Sequence, residues 1–333
     1  MSWSILGHDW VITLLKNHIR SGNTRHAYLF SGIPGIGKRT LAIQFSQALN
    51  CLEPPEVGEF CGECRNCRRI ANLQHPDFII GQSEEPGAML KIEPVREIQK
   101  TLSLSPYEAP WRIALLLRFD EANANAQNAL LKTLEEPAEQ VKLLLTASSD
   151  SAVLPTIASR CEIIRMRPGD IVTTSRLLQK KLSLTEDDAL RLAHLSAGRI
   201  GSAIQFNDMP ETVEAILRHA QEGLEMFASN TRQRFQYAVT YRDFRKRGEL
   251  RALLLEWQAL FRDLMLLKAD PDARNSLTYI DLVDEMRSLS QKAEENDFPA
   301  LLQNTRRALD YLDANVSPQL VLENLLLTMP RIR

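Results

Sequence analysis

In the first half of the chain, short uniform apolar runs alternate with segments whose apolar positions have helical spacing. Between Ile5 and Ile19, the residues Val11, Ile12, Leu14, Leu15 and Ile19 follow one helix face, and Gly22-Asn23 supplies a stop. Ala27, Tyr28, Leu29 and Phe30 then run without a polar break, which predicts a strand buried on both faces, as in a parallel sheet. Leu41, Phe45, Ala48, Leu49 and Leu52 mark the next helix. The alternation continues with a strand at Phe78 to Ile80, a helix carrying Ile92, Val95, Ile98 and Leu102, a loop bounded by Pro106 and Pro110, and a strand at Ile113 to Leu117. A helix with Leu130, Leu131 and Leu134 on its buried side is ended by Pro137, and strands follow at Val141 to Thr146 and Cys161 to Met166. Strands and helices in turn predict a parallel α/β domain.

Beyond Pro168-Gly169 only helical spacing remains. Leu177 to Phe206 is broken at Gly198 and Gly201, as a small helical lid would be; from Asp208 onward the signal is clearest in Leu250 to Leu267 and Ala300 to Leu312. A long helical region without a catalytic motif suggests an assembly surface.

Composition narrows the class. With 333 residues, 44% hydrophobic and 25% charged, the chain has room for two or three ordinary domains. Met1 to Trp10 has no basic leader character, and no apolar run approaches the roughly 20 residues that span a bilayer, so the expected location is cytoplasmic and off the membrane. A net charge of −2 argues against a free-standing nucleic-acid binder, although an assembly can still bring the chain to DNA.

Gly32 to Thr40 reads GIPGIGKRT between a strand and a helix, the order that makes a phosphate cradle from backbone N–H groups at a helix N-terminus. Gly32, Gly37 and Lys38 fit the G-x-x-x-x-G-K spacing, and Gly35 adds a permissive position. Arg39 stands where Ser or Thr would hold Mg²⁺, and Thr40 comes one place late. A P-loop ATPase also needs an acidic pair at the end of a neighbouring strand; Asp120-Glu121 falls beyond the expected place, which Leu117 and Arg118 occupy.

Cys51, Cys61, Cys64 and Cys67 have the spacing C-x9-C-x2-C-x2-C, which suits one tetrahedral ion. Four soft ligands favour Zn²⁺ over a redox dithiol or an iron–sulfur cluster and leave no open position, so the metal is expected to be structural. Arg65, Arg68 and Arg69 beside it read as a solvated basic face, with nucleic-acid contact as the alternative. Cys161 reads as a small buried residue and His26 as a packing or hydrogen-bonding residue at a strand start. Glu135 and Glu136 sit in the last turn of a helix, where the macrodipole disfavours anions by about 0.3–1 kcal/mol each, and so call for a partner, for instance across a subunit interface.

Taken in order, HAYLFSGIPGIGK, the four-cysteine knuckle, HPDF, NALLKTLEEP and LPTIASRC closely resemble the bacterial DNA polymerase III clamp-loader subunits, well over residues 1–200 and only by length and helical character beyond. Within that family the chain looks most like the delta-prime branch. Gamma/tau subunits are similar here but keep the metal-binding hydroxyl and the acidic pair. The family pattern aligns Leu117 and Arg118 with the acidic positions, and Gly201 with a nucleotide-sensing arginine.

The resemblance implies an AAA+ P-loop parallel-sheet core over 1–168 with a four-cysteine zinc module at 51–67, a helical lid over 169–207 and an all-α collar, or oligomerisation domain, over 208–333. It implies a component of the DNA polymerase III holoenzyme with no ATPase of its own, structural Zn²⁺, and ATP and Mg²⁺ binding disfavoured at the degenerate loop of Gly32, Gly35, Gly37, Lys38 and Thr40. Its catalytic contribution would lie in Ser159 and Arg160, with Arg160 acting in trans as an arginine finger. The implied partners are gamma/tau-like and delta-like sister subunits, and through them the sliding clamp and primed DNA. The alternative is an active gamma-like ATPase using Lys38, Thr40 and Asp120 in shifted positions.

Overall fold

The computed structural model describes residues 3–83 and 88–332. The chain divides into two compact units, residues 1–169 with 199–202, and residues 170–198 with 203–333.

In the first unit, α1 (Asp9–Arg20) leads into β1 (Ala27–Ser31), α2 (Lys38–Asn50) follows the glycine-rich turn, and α3 (Arg65–Ala71) lies in the cysteine module. β2 (Phe78–Gly81), α4 (Ile92–Leu102), β3 (Arg112–Leu116), α5 (Ala124–Glu135), β4 (Val141–Ala147), α6 (Pro155–Ala158) and β5 (Glu162–Arg165) complete it. The five strands are parallel in the order β2-β3-β4-β1-β5, with Leu29 of β1 in register with Leu145 on one side and Ile163 on the other. The uniform run in β1 follows from this position. Tyr28 and Phe30 pack with Phe45 and Leu144 on one face, while Ala27 and Leu29 pack with Leu116 and Leu130 on the other.

One boundary differs from the periodicity. Helix α1 begins at Asp9, and the residues before it form an irregular arm held by Trp3 Nε1 donating to the Gly58 carbonyl at 3.1 Å. Ile5 therefore contributes its apolar surface to the core without joining the helix.

The second unit is helical: α7 (Ile171–Leu182), α8 (Glu186–Leu195), α9 (Ile200–Asp208), α10 (Pro210–Ala228), α11 (Thr231–Val239), α12 (Arg247–Ala269), α13 (Val283–Lys292), α14 (Asp297–Asp313) and α15 (Pro318–Thr328), with the first turn of α9 grouped in the first unit. Its core centres on α12, where Trp257 and Phe261 are fully buried and Phe227 meets Phe261 edge-on at 5.9 Å. Leu178 and Leu192, from α7 and α8, belong to the same apolar cluster. Arg234 in α11 is buried and donates to four carbonyls, those of Met226, Leu326, Met329 and Pro330. It thereby satisfies acceptors that the end of α15 leaves open. The molecule has the parallel α/β core and the helical remainder that its residue pattern predicts. Among the described residues, no helix is long and apolar enough to cross a membrane.

Candidate nucleotide and metal sites

The turn from β1 to α2 brings Gly32, Gly35, Gly37 and Lys38 together. Gly37 caps α2 with a left-handed φ of 103°, a conformation that favours glycine. Lys38 folds its ammonium back onto the turn, donating to the carbonyls of Gly32 and Ile33, the latter at 3.0 Å. Burial disfavours the charged amine and lowers its pKa to about 8, against a partial upward pull from Asp120. Arg39 and Thr40 are both exposed on the first turn of α2.

Two elements brace this turn. His8, just before α1, places a ring nitrogen 3.0 Å from the Ile36 carbonyl. Burial lowers its pKa, so the neutral ring fits the site. From the start of α9, the Ser202 N–H donates to the Gly35 carbonyl at 3.0 Å. A Cβ on Gly35 would collide with Ser202 Oγ, at 1.9 Å. Neither brace carries a local sequence signal; both are contacts between distant segments.

Two residues beyond β3, in a place where the sequence pattern calls for an acidic residue, stands the cation Arg118. Arg118 adopts a left-handed φ of 48°, and its guanidinium donates to Glu121 Oε2 at 2.9 Å and to Ser83 Oγ at 2.9 Å. Asp120 accepts from the Ser148 N–H at 3.0 Å and from the Ser148 hydroxyl. Asp120 and Glu121 are thus both engaged in bonds within the loop cluster. Leu117 is buried and apolar. Lys38 thus stands beside the glycine turn, while Asp120 and Glu121 are hydrogen-bonded to Ser148 and Arg118.

Ser159 closes α6, and Arg160 follows it at the surface. The Arg160 guanidinium lies 2.8 Å from Glu135 Oε1, at the end of α5, and donates to the Thr156 carbonyl at 2.8 Å. The expected partner for the charges ending α5 is found for Glu135 within the chain. Cys161 is partly buried rather than enclosed, and burial still pushes its thiol up to about 12. His26 is likewise half-buried at the start of β1, with Nε2 enclosed and unbonded.

The four cysteines converge. Their Sγ atoms all lie within 4.8 Å of one another, with Cys51 and Cys61 at 3.6 Å and Cys61 and Cys67 at 4.0 Å. A tetrahedron of thiolates about 2.3 Å from a zinc ion has edges of about 3.8 Å, so this cluster can hold a metal ion of that kind. Backbone N–H groups of Cys61, Cys64 and Cys67 point at the sulfurs of Cys51, Cys61 and Cys64, at 3.2–3.4 Å. Burial works against the Cys61 thiolate, yet the N–H donors of Cys64 and Glu63 and the neighbouring thiols lower its pKa to about 7. The knuckle fits a closed four-sulfur site.

A family model described as DNA polymerase III, delta subunit matches residues 7–170. Over that span the chain is similar to subunits of DNA polymerase III. It is 32% identical over 210 residues to DNA polymerase III subunit tau/gamma of Haemophilus influenzae, covering 61% of this chain and 30% of that protein. With subunit delta' of Bacillus subtilis the identity is 27% over 333 residues, covering 96% of this chain and 95% of the relative. With subunit delta' of Pseudomonas aeruginosa it is 40% over 136 residues, covering 41% of each. The chain thus spans under a third of the length of the tau/gamma relative.

Proposed function

We propose that this chain is a delta-prime-like clamp-loader subunit that turns over no ATP itself and lends Arg160 to the ATP site of a gamma/tau-like neighbour. The observation that carries the reading is the Arg118 guanidinium just beyond β3, paired to Glu121 in the place where an ATPase presents carboxylate to Mg²⁺. The exposed Arg39 and the Ser202 brace on Gly35 support it from two other sides of the loop.

Arg160 suits the second part of the role. Its pair with Glu135 lies at the surface, where such pairs contribute about 0–1 kcal/mol, so the guanidinium can be redirected at small cost. A planar cation delivered to a transferring phosphoryl group offsets developing charge and is worth about 10³- to 10⁵-fold in rate. Ser159 sets the turn from which it projects. On this reading residues 169–207 serve as a lid and 208–333 as a collar joining sister subunits, and the clamp and primed DNA are met through the assembly. One Zn²⁺ per chain is held by Cys51, Cys61, Cys64 and Cys67.

The test is reconstitution with Arg160→Ala. Assembly should be retained while DNA- and clamp-stimulated ATP turnover falls at least tenfold. Unchanged turnover rejects the finger, and steady hydrolysis by the isolated chain that vanishes on Lys38→Ala rejects the inactive-subunit reading.

A further inference from the structure

The cysteine knuckle is tied at two points to the loop between α4 and β3. The first runs through α3. Its residues Arg65 and Arg69 place guanidinium nitrogens 3.4 Å and 2.6 Å from the Glu108 carboxylate, in the middle of that loop. The second runs through Asn50, the residue before Cys51. Asn50 Oδ1 accepts from the Trp111 N–H at 3.0 Å, Asn50 Nδ2 donates to the Trp111 carbonyl at 2.9 Å, and the Asn50 carbonyl accepts from Asn66 of α3 at 3.0 Å.

Between these anchors the loop is shaped from inside. Asp77, fully buried, accepts from the N–H groups of Tyr107, Glu108 and Ala109 at 2.7, 2.9 and 3.0 Å and pairs with Arg112 at 2.9 Å. Arg112 answers the Asp77 charge, whereas Glu108 is held by the cations Arg65 and Arg69, with His75 Nε2 at 3.7 Å. Without them its half-buried carboxylate would stand near the buried Asp77 with no cation of its own and swing out to water. Helix α3 is seven residues long, too short to hold its shape by itself, and Cys64 and Cys67 are its cap and first turn. Whatever holds the sulfurs together therefore holds Arg65 and Arg69 against Glu108.

We infer that the metal in the Cys51, Cys61, Cys64 and Cys67 site acts as a clamp on the α4–β3 loop, positioning Glu108 and with it Tyr107, whose side chain stands 81% exposed at the loop's crest. The inference rests on the reading that this site is metal-loaded. Its consequence is that the knuckle does more than hold itself together: metal occupancy fixes how an aromatic residue is presented at the surface some forty positions along the chain.

The test is amide hydrogen exchange on the full chain, zinc-loaded and chelator-treated, with metal counted in each sample. Chelation should speed exchange at Tyr107, Glu108 and Ala109 at least tenfold, while the amides of β1 and β4 keep their protection. In zinc-loaded protein, Arg69→Ala combined with Arg65→Ala should speed the same three amides with the metal count unchanged, and Arg69→Lys alone should restore part of the protection. If chelation unfolds the whole core, the zinc-loaded Arg variants decide. Unaltered exchange at those three amides in the zinc-loaded double variant overturns the clamp, leaving the metal site standing. A preparation that never carries metal overturns the site and the clamp together.

Discussion

Gly201 lies against the phosphate loop so closely that a Cβ on it would stand 2.6 Å from the Gly35 carbonyl oxygen and 3.5 Å from the Gly37 nitrogen. Any side chain here must displace backbone. Gly201→Arg, which would restore the cation that the family pattern has at this place, should therefore cost about 1–3 kcal/mol through overpacking and confer no nucleotide affinity. Thermal unfolding and calorimetric titration with ATP check both halves; tight binding by a stable variant would contradict the geometry.

Asp77→Ala should be among the most damaging single changes in the first unit. It leaves Arg112 buried and unpaired, a loss typically of about 3–5 kcal/mol, read by denaturant unfolding. The same group sets an acid limit. Burial alone would raise the Asp77 carboxyl, but the three N–H donors and Arg112 outweigh it and hold its pKa below the ordinary value. A carboxyl whose folded pKa is depressed contributes stability that is complete above its unfolded value near 3.9 and is lost as pH falls through the folded one. Wild-type stability should therefore drop below about pH 4, and Asp77→Asn should flatten that part of the profile.

Metal analysis should return one zinc per chain. Cys67→Ser, at the most buried of the four sulfurs, should lose the ion and several of the roughly 10 kcal/mol that a structural zinc can supply. Iron, or no metal, in well-folded protein would overturn the assignment.

In the second unit, Trp257→Ala removes a fully buried side chain together with its indole N–H bond to the His219 carbonyl at 2.8 Å. The expected loss is about 3–5 kcal/mol. Because Leu178 and Leu192 share this core, exchange protection should fall in α7 and α8 as well as in α12.

Arg160→Ala should separate stability from function. The isolated chain should unfold within about 1 kcal/mol of wild type, since the pair with Glu135 is exposed, while turnover in the assembly falls. A large stability loss would mean that Arg160 is chiefly structural.

The parts of this molecule that could be read from the residues were those set by local rules. β1 was legible because a strand covered on both faces has no reason to carry a polar residue, and the phosphate loop because its glycines and Lys38 must fall at fixed spacing. The four cysteines were legible because one ion dictates their grouping. What escaped were pairings between remote segments. HPDF is visible as a string, but nothing in it says that Asp77 will gather the N–H groups of a loop thirty residues on. Ile5 fitted the helical period and yet belongs to the arm before α1, since an apolar residue serves the core equally well from irregular backbone. Glu135 looked incomplete alone; folding joins it to Arg160.

Arg234 makes the segment from Leu326 to Pro330 an internal component. Its guanidinium is solvated by peptide oxygens alone at the four bonds it makes, three of them supplied by Leu326, Met329 and Pro330, and burial lowers its pKa accordingly. Trimming the chain before Leu326 would strand a positive charge in an apolar interior with most of its cage gone. A segment that behaves as a plug should tolerate neither deletion nor insertion between Leu326 and Pro330.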